Sequence, residues 1–592
     1  MVFVRPISLL CWLILCWLIL ATLPMQGQGN TSDGVQLPAL GKRSGKPFQA
    51  KFVDVAEAAG LTKPTVYGGV KAKDYILESI GSGAAFFDYD ADGWIDIFIV
   101  SGTRRGDTTR NDTAKDATNR LYGNNRDGTF RDVTKTAGLE RSGWGASVTV
   151  GDYNNDGNED LFVTYWGHNV LYRNQGDGTF QDVTEKAGVG GTSPRWGAGA
   201  TFLDYDRDGN LDLFVSYYLK FDFKTAPPKG GSGNCKWKNV AVYCGPQGFA
   251  RETPTLYRNK GDGSFEDVTA ASGVATGIPG HGMTAVAADF DADGWTDIYL
   301  ASDDTPSLLF RNNHDGSFTE EGLERGVALS GDGLEQSGMG VGIGDYDADG
   351  DLDIFKTNFM DDMNSLYRNE GGGNFEDATV DSGVGVETRF VGWGAAIADL
   401  DNDAWPELFY VTGNVYPELE AAAPGCPHHS PRVVFRNLGG GQFEQLIGEA
   451  GPGIAARHDS RGAALGDYDN DGDLDILIVN LNEPPSLLQN NLTGDRHWIK
   501  IQLTGTKSNR SAIGALVTVR FGDRRLTQAV TAQSSFYSVN DRRLHFGLGR
   551  ETEADMQVRW PSGNVETFED LKADRLVTVV EGKGAEAAKL PR

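Results

Sequence analysis

The sequence predicts an all-β protein: a seven-bladed β-propeller over residues 47–494, followed by a β-sandwich-like domain over 495–585. Three observations carry this. An acidic loop recurs seven times, a glycine-turn hairpin motif follows it, and the strand missing after the last copy stands ahead of the first.

The chain opens with "MVFVRPISLLCWLILCWLILATLPMQGQG", one positive charge followed by an apolar stretch from Ile7 to about Leu23. That is signal-peptide anatomy over residues 1–27, with a retained anchor as the alternative. Residues 28–46 read as a linker, and the remainder is expected outside the cytoplasm, secreted, extracellular or periplasmic. The 78 glycines against 22 prolines, with no G-X-Y period, point to many tight turns.

The loop is seen in "DYDADGWIDIFIV" at 88–100. Carboxylates occupy positions 1, 3, 5 and 9, a glycine position 6, and a run of β-branched and aromatic residues follows. The candidate ligands in the first three copies are Asp88, Asp90, Asp92 and Asp96; Asp152, Asn154, Asp156 and Asp160; Asp204, Asp206, Asp208 and Asp212. The next two copies supply Asp289, Asp291, Asp293 and Asp297, then Asp345, Asp347, Asp349 and Asp353. The last two supply Asp399, Asp401, Asp403 and Glu407, then Asp467, Asp469, Asp471 and Asp475. First aspartates are 64, 52, 85, 56, 54 and 68 residues apart. Of 28 positions only Asn154 is not a carboxylate, and Ala404 alone replaces the glycine.

A helix-loop-helix calcium site needs a bidentate glutamate at position 12 and flanking helices. Position 12 here is Ile99, Val163 or Val215, inside a predicted strand, so the loop belongs to a β-turn. Carboxylates this close repel one another without a cation. An all-oxygen donor set with a nearby backbone carbonyl suits Ca²⁺, up to seven ions, better than the tight octahedron of Mg²⁺. Seven divalent ions would halve the formal charge of −28. They read as structural staples rather than sensors. A chain this acidic repels phosphate backbones, so no nucleic-acid partner is expected.

Seven residues before each first aspartate stands Gly81, Gly145, Gly197, Gly282, Gly338, Gly392 or, once, Ser460. After the loop strand comes a motif best seen as "LYRNQGDGTFQDVT" at 171–184, a β-hairpin by its turn residues. Each repeat is thus about four short strands. After the seventh loop the motif begins ("SLLQNNLTG") and lacks its last strand, while "FVDVAEAAGL" at 52–61 is that strand without its repeat. The N-terminal strand is therefore expected to close the ring and remove the open edges. Within 495–585 the runs "HWIKIQLTG", "GALVTVRF", "LTQAVTAQ", "LHFGLG", "DMQVRWPSG", "ETFEDL" and "RLVTVVEG" predict a compact all-β domain, with 586–592 as a tail.

These loops and hairpins resemble the FG-GAP or VCBS-type repeats of integrin-α-like propellers. The stretch "GALVTVRF…SSFYSVNDRRLHFGLG…VRWPSG" resembles the ASPIC/UnbV module that follows such a propeller in the cartilage acidic protein family. The insertion "NCKWKNVAVYCGPQGF" at 234–249 is similar to one found there. The resemblance covers about residues 47–585 and implies a secreted calcium-binding propeller.

Cys235 and Cys244 close a ten-residue loop and are expected to pair outside the cytoplasm, leaving Cys426 unpaired. Eight residues before the loops stand Ile80, Trp144, Trp196, His281, Ser337, Val391 and Asp459. If the glycine-marked strands are innermost, these ring one channel mouth, where Trp144, Trp196 and His281 recognise a ligand or simply pack between blades. "RRGD" at 104–107 matches an integrin-binding tripeptide, and sequons stand at Asn30, Asn111, Asn491 and Asn509. The eight histidines show no zinc spacing, and His428 and His429 near Cys426 read as an exposed loop. No nucleophile elbow, P-loop or dinucleotide fingerprint is present, so no catalytic residue is assigned. The expectation is an exported calcium-binding scaffold for adhesion to an extracellular protein or glycan, touching a membrane only if the N-terminal segment is retained. The alternative is a tailoring enzyme of secondary metabolism using the channel mouth or the interdomain cleft.

Overall fold

Each acidic loop joins the first two strands of a four-stranded antiparallel meander, and seven such meanders follow one another along the chain. The computed structural model describes residues 43–590 except 105–116, 192, 277–278, 424 and 589. The signal or anchor segment 1–27, linker residues up to 42, Arg105 to Asp107 of the tripeptide, and the sequons at Asn30 and Asn111 lie outside the described residues. No helix among the described residues is long and apolar enough to cross a membrane.

The innermost strands are Ala84–Phe87, Gly145–Gly151, Arg195–Leu203, Gly282–Ala288, Val341–Gly344, Gly392–Ala398 and Ser460–Gly466. Each touches the next, and the last touches the first, which makes a closed ring. The closure is also covalently out of order, as the orphan strand requires. Phe52–Asp54 pairs antiparallel with Ser486–Asn490 and completes the sheet of the last unit, Phe52 opposite Asn490.

The sheets stack face to face around the ring, so both faces of their second strands are covered. This is why "DIFI", "DLFV" and "DILI" read as apolar runs rather than alternating patterns. One cluster unites Ala85, Phe98, Val148 and Val163 of the first two units. Another unites Phe86 and Ile97 with Leu477 and Val479, across the closure. The recurrent glycines mark a β-bulge where the inner strand shifts register, as at Gly145 and Gly392. A Cβ on Gly145 would lie 2.6 Å from Val100 Cγ1, so the close approach of neighbouring units excludes a side chain there.

The C-terminal domain is two four-stranded sheets. Its strand Gly584–Ala588 pairs with Arg575–Val580, so the expected tail from 586 is in part a strand of this domain. It shares one apolar cluster with the ring, in which Phe202 and Leu213 meet Val517, Phe546 and Trp560.

The strand expected through "LTQAVTAQ" stops at Ala529. Residues 532–540 leave the domain and enter the channel. Phe86 N–H donates to Val539 O (3.0 Å), Val148 N–H to Tyr537 O (3.2 Å) and Val341 N–H to Ser535 O (2.8 Å). Ala395 N–H donates to Ser535 Oγ (3.1 Å), and Leu465 N–H to Asn540 Oδ1 (2.9 Å). Gln533 lies against Gly199, and the Tyr537 hydroxyl donates to Met283 Sδ at 3.0 Å. The plug therefore contacts the inner strands of all seven units. A Cβ at Gly83 would sit 1.8 Å from Tyr537 O, so the second glycine of "GSG" leaves the plug its room. Phe536 and Tyr537 are fully buried, each worth about 1.5–3 kcal/mol of apolar burial.

Candidate metal centres

Every loop has the same backbone. Position 4 (Ala91, Asn155, Arg207, Ala292, Ala348, Asn402, Asn470) has φ between 56° and 64°. Position 6 is left-handed too, Gly93 at 88° and, without glycine's freedom, Ala404 at 67°. The first aspartate holds this shape. Asp88 Oδ1 accepts Asp92 N–H (3.0 Å) and its Oδ2 accepts Gly93 N–H (2.8 Å). Asp399 repeats this with Asp403 (3.0 Å) and Ala404 (2.7 Å). At position 9, Asp96 Oδ2 accepts Tyr89 N–H (3.0 Å) and Oδ1 accepts Asn124 N–H (2.7 Å).

The turn thus aims carboxylates inward. Oxygens of positions 1, 3 and 9 lie within 4.8 Å of one another in the groups Asp88–Asp90–Asp96, Asp204–Asp206–Asp212, Asp289–Asp291–Asp297, Asp345–Asp347–Asp353 and Asp399–Asp401–Glu407. Position 5 stands outside these groups. Asp92 pairs with Arg126 (2.6 Å), Asp156 with Arg173 (2.8 Å) and Asp293 with His314 (2.6 Å). In these five groups the oxygens drawn together are those of positions 1, 3 and 9, while Asp92, Asp156 and Asp293 at position 5 pair with a neighbouring basic side chain.

Burial pushes these acids up. Asp88 rises to about 6, Asp204 and Asp289 to about 7, and Asp345 and Asp96 to about 8. Asp160, Asp212, Asp297, Asp353, Glu407 and Asp475 are held well above the ordinary carboxyl range, burial again leading and neighbouring carboxylates adding to it. Asp204 Oδ1, Asp289 Oδ1, Asp347 Oδ1 and Asp469 Oδ1 are buried without a hydrogen-bond partner. An orphaned buried carboxylate oxygen is costly, and a hard cation is the partner its chemistry fits.

An asparagine unremarked in the sequence bolts the loops together. The Asn of each third strand donates its side-chain N–H to the position-2 carbonyl of the preceding loop. Asn174 reaches Tyr89 O (2.8 Å), Asn259 Tyr153 O (2.8 Å) and Asn312 Tyr205 O (2.9 Å). Asn369 reaches Phe290 O (2.8 Å), Asn437 Tyr346 O (2.8 Å) and Asn490 Leu400 O (2.9 Å). Asn124 of the first unit reaches Tyr468 O of the last (3.0 Å), closing the circle a second way. The signal was the letter N at the end of "LYRN", present in every copy.

The C-terminal domain sits on this loop-bearing face. Asp152 N–H donates to Ser511 Oγ (2.9 Å), Thr527 N–H to Asp345 Oδ2 (3.0 Å), and His545 Nε2 lies 2.7 Å from Asn402 Oδ1. Lys500 pairs with Asp467, both fully buried, and Arg496 reaches Asp401 and Asp403.

The opposite mouth is closed. Trp144, Trp196 and His281 are 7%, 1% and 2% exposed, so none faces an open channel. Trp196 packs on Tyr218 (ring centroids 5.0 Å) and Trp144 on Tyr67 (5.5 Å). The insertion lies across the mouth: Trp237 packs on Phe359 (5.2 Å), and the Tyr243 hydroxyl donates to Ser79 Oγ at 2.7 Å. Cys235 and Cys244 are disulfide-bonded, and Cys426 is free and buried. Beneath Tyr243 and Pro246 of the insertion remains a cavity of about 30 Å³, bounded by Tyr218, Met283 and Trp393, the room of a water or two. Of the two roles the sequence left open, packing is the one that this burial describes. Sequence could place them at the mouth but could not show what covers it.

The FG-GAP-like repeat family matches residues 88–163, 152–215, 241–300, 289–356 and 345–410, and the ASPIC and UnbV family matches 505–586. Cartilage acidic protein 1 of Homo sapiens is 26% identical over 314 residues, 51% of this chain and 44% of that protein. The Xenopus tropicalis protein of the same name is 27% identical over 283 residues, 46% of this chain and 40% of its own. The chain thus matches less than half the length of these relatives. Among solved structures, an Agrocybe aegerita lectin described as recognising non-reducing terminal N-acetylglucosamine aligns at TM-score 0.36 with 16% identity, over 68% of this chain and 87% of its own. The exotype rhamnogalacturonan lyase YesX aligns at TM-score 0.30 with 12% identity, over 86% and 91%. Scores at this level carry no functional argument.

Proposed function

The chain belongs to the proteins built from FG-GAP-like repeats and an ASPIC and UnbV domain, and from that premise we propose that it is an exported, calcium-stapled scaffold for extracellular adhesion. The observation that carries the reading is the set of buried carboxylate groups with orphaned oxygens, repeated around one face of the ring. Residues at positions 1, 3 and 9 of each loop, Asn154 by its amide oxygen and the rest by carboxylates, hold the ion, and calcium supplies the positive charge that lets the carboxylates stay ionised. Because the loops join inner to second strands and are bolted by the asparagines, the ions stiffen the whole ring. The named relatives support an extracellular setting, and the disulfide suits an oxidising compartment. The partner is an extracellular protein or glycan bound on the outer surface.

Two measurements test this. Calcium added to chelated full-length protein raises its melting temperature, and the absence of any rise disposes of the staple. Capture of partners from an extracellular fraction depends on calcium; identical recovery in chelator disposes of the calcium-held scaffold.

A further inference from the structure

A second group of metal-ligating side chains lies at the mouth away from the acidic loops. The short ladder Ser430–Pro431 against Arg457–His458 sets Ser430 opposite His458 and so brings His429 beside it. Glu483 comes from the turn after the second strand of the last unit. Asn482 fixes that turn: it is left-handed (φ 61°), its N–H donates to Thr65 O (2.7 Å), and its side chain clamps the Tyr67 backbone at 3.1 and 2.8 Å. Thr65 N–H donates to Glu483 O at 3.0 Å.

The Glu483 carboxylate thereby stands between two imidazoles. His429 Nε2 lies 3.0 Å from Oε1, and His458 Nδ1 lies 2.6 Å from Oε2. The His428 ring packs 4.8 Å from that of His429; its Nδ1 is 3.1 Å from Asn414 O and its Nε2 3.5 Å from Asp459. The charges acting on His429 are carboxylates, Glu483, Asp459 and Glu420, a field that favours a cation. Lys73 and Arg461 act on His428 behind it, and Arg461 is engaged by Asp459 and Ser79 O. The side chains of His429, His458 and Glu483 are 42%, 25% and 30% exposed, so water and an ion reach them.

Two imidazole nitrogens and one carboxylate, open on one side, are the donors of a borderline divalent ion rather than of calcium, which takes oxygens. We propose that His429, His458 and Glu483 bind one divalent first-row transition ion, with Zn²⁺ as the probe, at a site chemically separate from the acidic loops. His429 Nε2 and His458 Nδ1 give lone pairs, and the protons they share with Glu483 leave to solvent. The other ring nitrogens keep their hydrogens, and water fills the open positions.

The test is equilibrium dialysis of the full chain against Zn²⁺ in saturating Ca²⁺, with metal content measured, and Co²⁺ absorption as a second readout. Wild-type protein takes up one equivalent. Glu483→Gln and His458→Ala each weaken uptake at least about tenfold and abolish the Co²⁺ bands, while His497→Ala, on the C-terminal domain, changes nothing. The calcium-dependent melting temperature of Glu483→Gln stays at the wild-type value, showing that the fold survives. No Zn²⁺ uptake by wild type, equal uptake by the two site variants, loss in His497→Ala, or displacement of Zn²⁺ by excess Ca²⁺ overturns the proposal.

Discussion

The two mouths of one channel are shut by different physics. On the loop-bearing face, closure rests on charge: buried carboxylates, the C-terminal domain that sits on them, and a plug held mainly through backbone hydrogen bonds. On the other face it rests on a ten-residue disulfide loop and aromatic packing around Tyr243, Trp196 and Trp237. On the proposed reading the first closure is conditional, because its clustered carboxylates are stable as anions only with a partner ion. The second is built in. A repeat protein whose units are nearly interchangeable becomes asymmetric through what is laid across its two ends.

The largest expected break is chelation. Each site saturated at a hundred times its Kd adds about 2.7 kcal/mol, so removing several ions lowers the melting temperature more than any single substitution. The effect has a pH signature. Burial holds Asp96 and Asp345 at about 8 and Asp204 and Asp289 at about 7, above the ordinary value near 4. The metal-free fold then binds protons more tightly than the unfolded chain, so its stability falls as pH rises from about 4 to about 8. Calcium-loaded ligands are ionised throughout, so the calcium increment widens over that window. Thermal scans with chelator and with calcium at pH 5 and pH 8 check this, and an increment that shrinks with pH refutes it.

Next comes the plug. Phe536→Ala leaves a void against Trp393, whose ring lies 4.9 Å away, and costs about 3–5 kcal/mol by denaturant unfolding. Cys235→Ser with Cys244→Ser removes a short cross-link worth about 2–3 kcal/mol. Its effect appears in chelator and in calcium alike, whereas the Phe536→Ala protein loses part of its calcium response. Equal calcium responses in the two variants would erase the distinction between the mouths.

Smaller still is one bolt. Asn369→Ala strips a buried carbonyl of its donor, costing about 1–3 kcal/mol, and lowers calcium affinity in the two loops it joins, read by calorimetry. Smallest, and opposite in sign, is Ala404→Gly. Ala404 sits at φ 67°, so glycine relieves about 1–2 kcal/mol of left-handed strain and returns some to unfolded-chain entropy, for a net gain under about 1 kcal/mol.

The ring and its closure were legible in the sequence because repetition makes pairing visible: "FVDV" has no repeat of its own and the last repeat lacks that strand. The carboxylate clusters were legible because acids at alternate positions of a tight turn converge on one point. The plug was not, since "AQSSFYSVN" follows a strand whose alternation it continues, and nothing local says that a chain segment enters a channel whose strands lie 75 to 453 residues earlier. The role of the mouth residues stayed open for the same reason, their cover being contributed from afar. His429, His458 and Glu483 lie 29 and 25 residues apart along the chain and carry no motif spacing, so only the fold assembles them.

The pairing of Phe52–Asp54 with Ser486–Asn490 also dictates an order of events. A nascent chain makes the closing strand first and must keep it waiting until more than 430 further residues have emerged. Until then the last sheet offers a bare edge, and the channel stays hollow until residues 532–540 arrive later still. Maturation therefore has two late steps, closure of the ring by the first strand and then filling of the channel, so a translational truncation before Ser486 yields an unclosed arc, and one between Asn490 and residue 532 a closed but hollow ring.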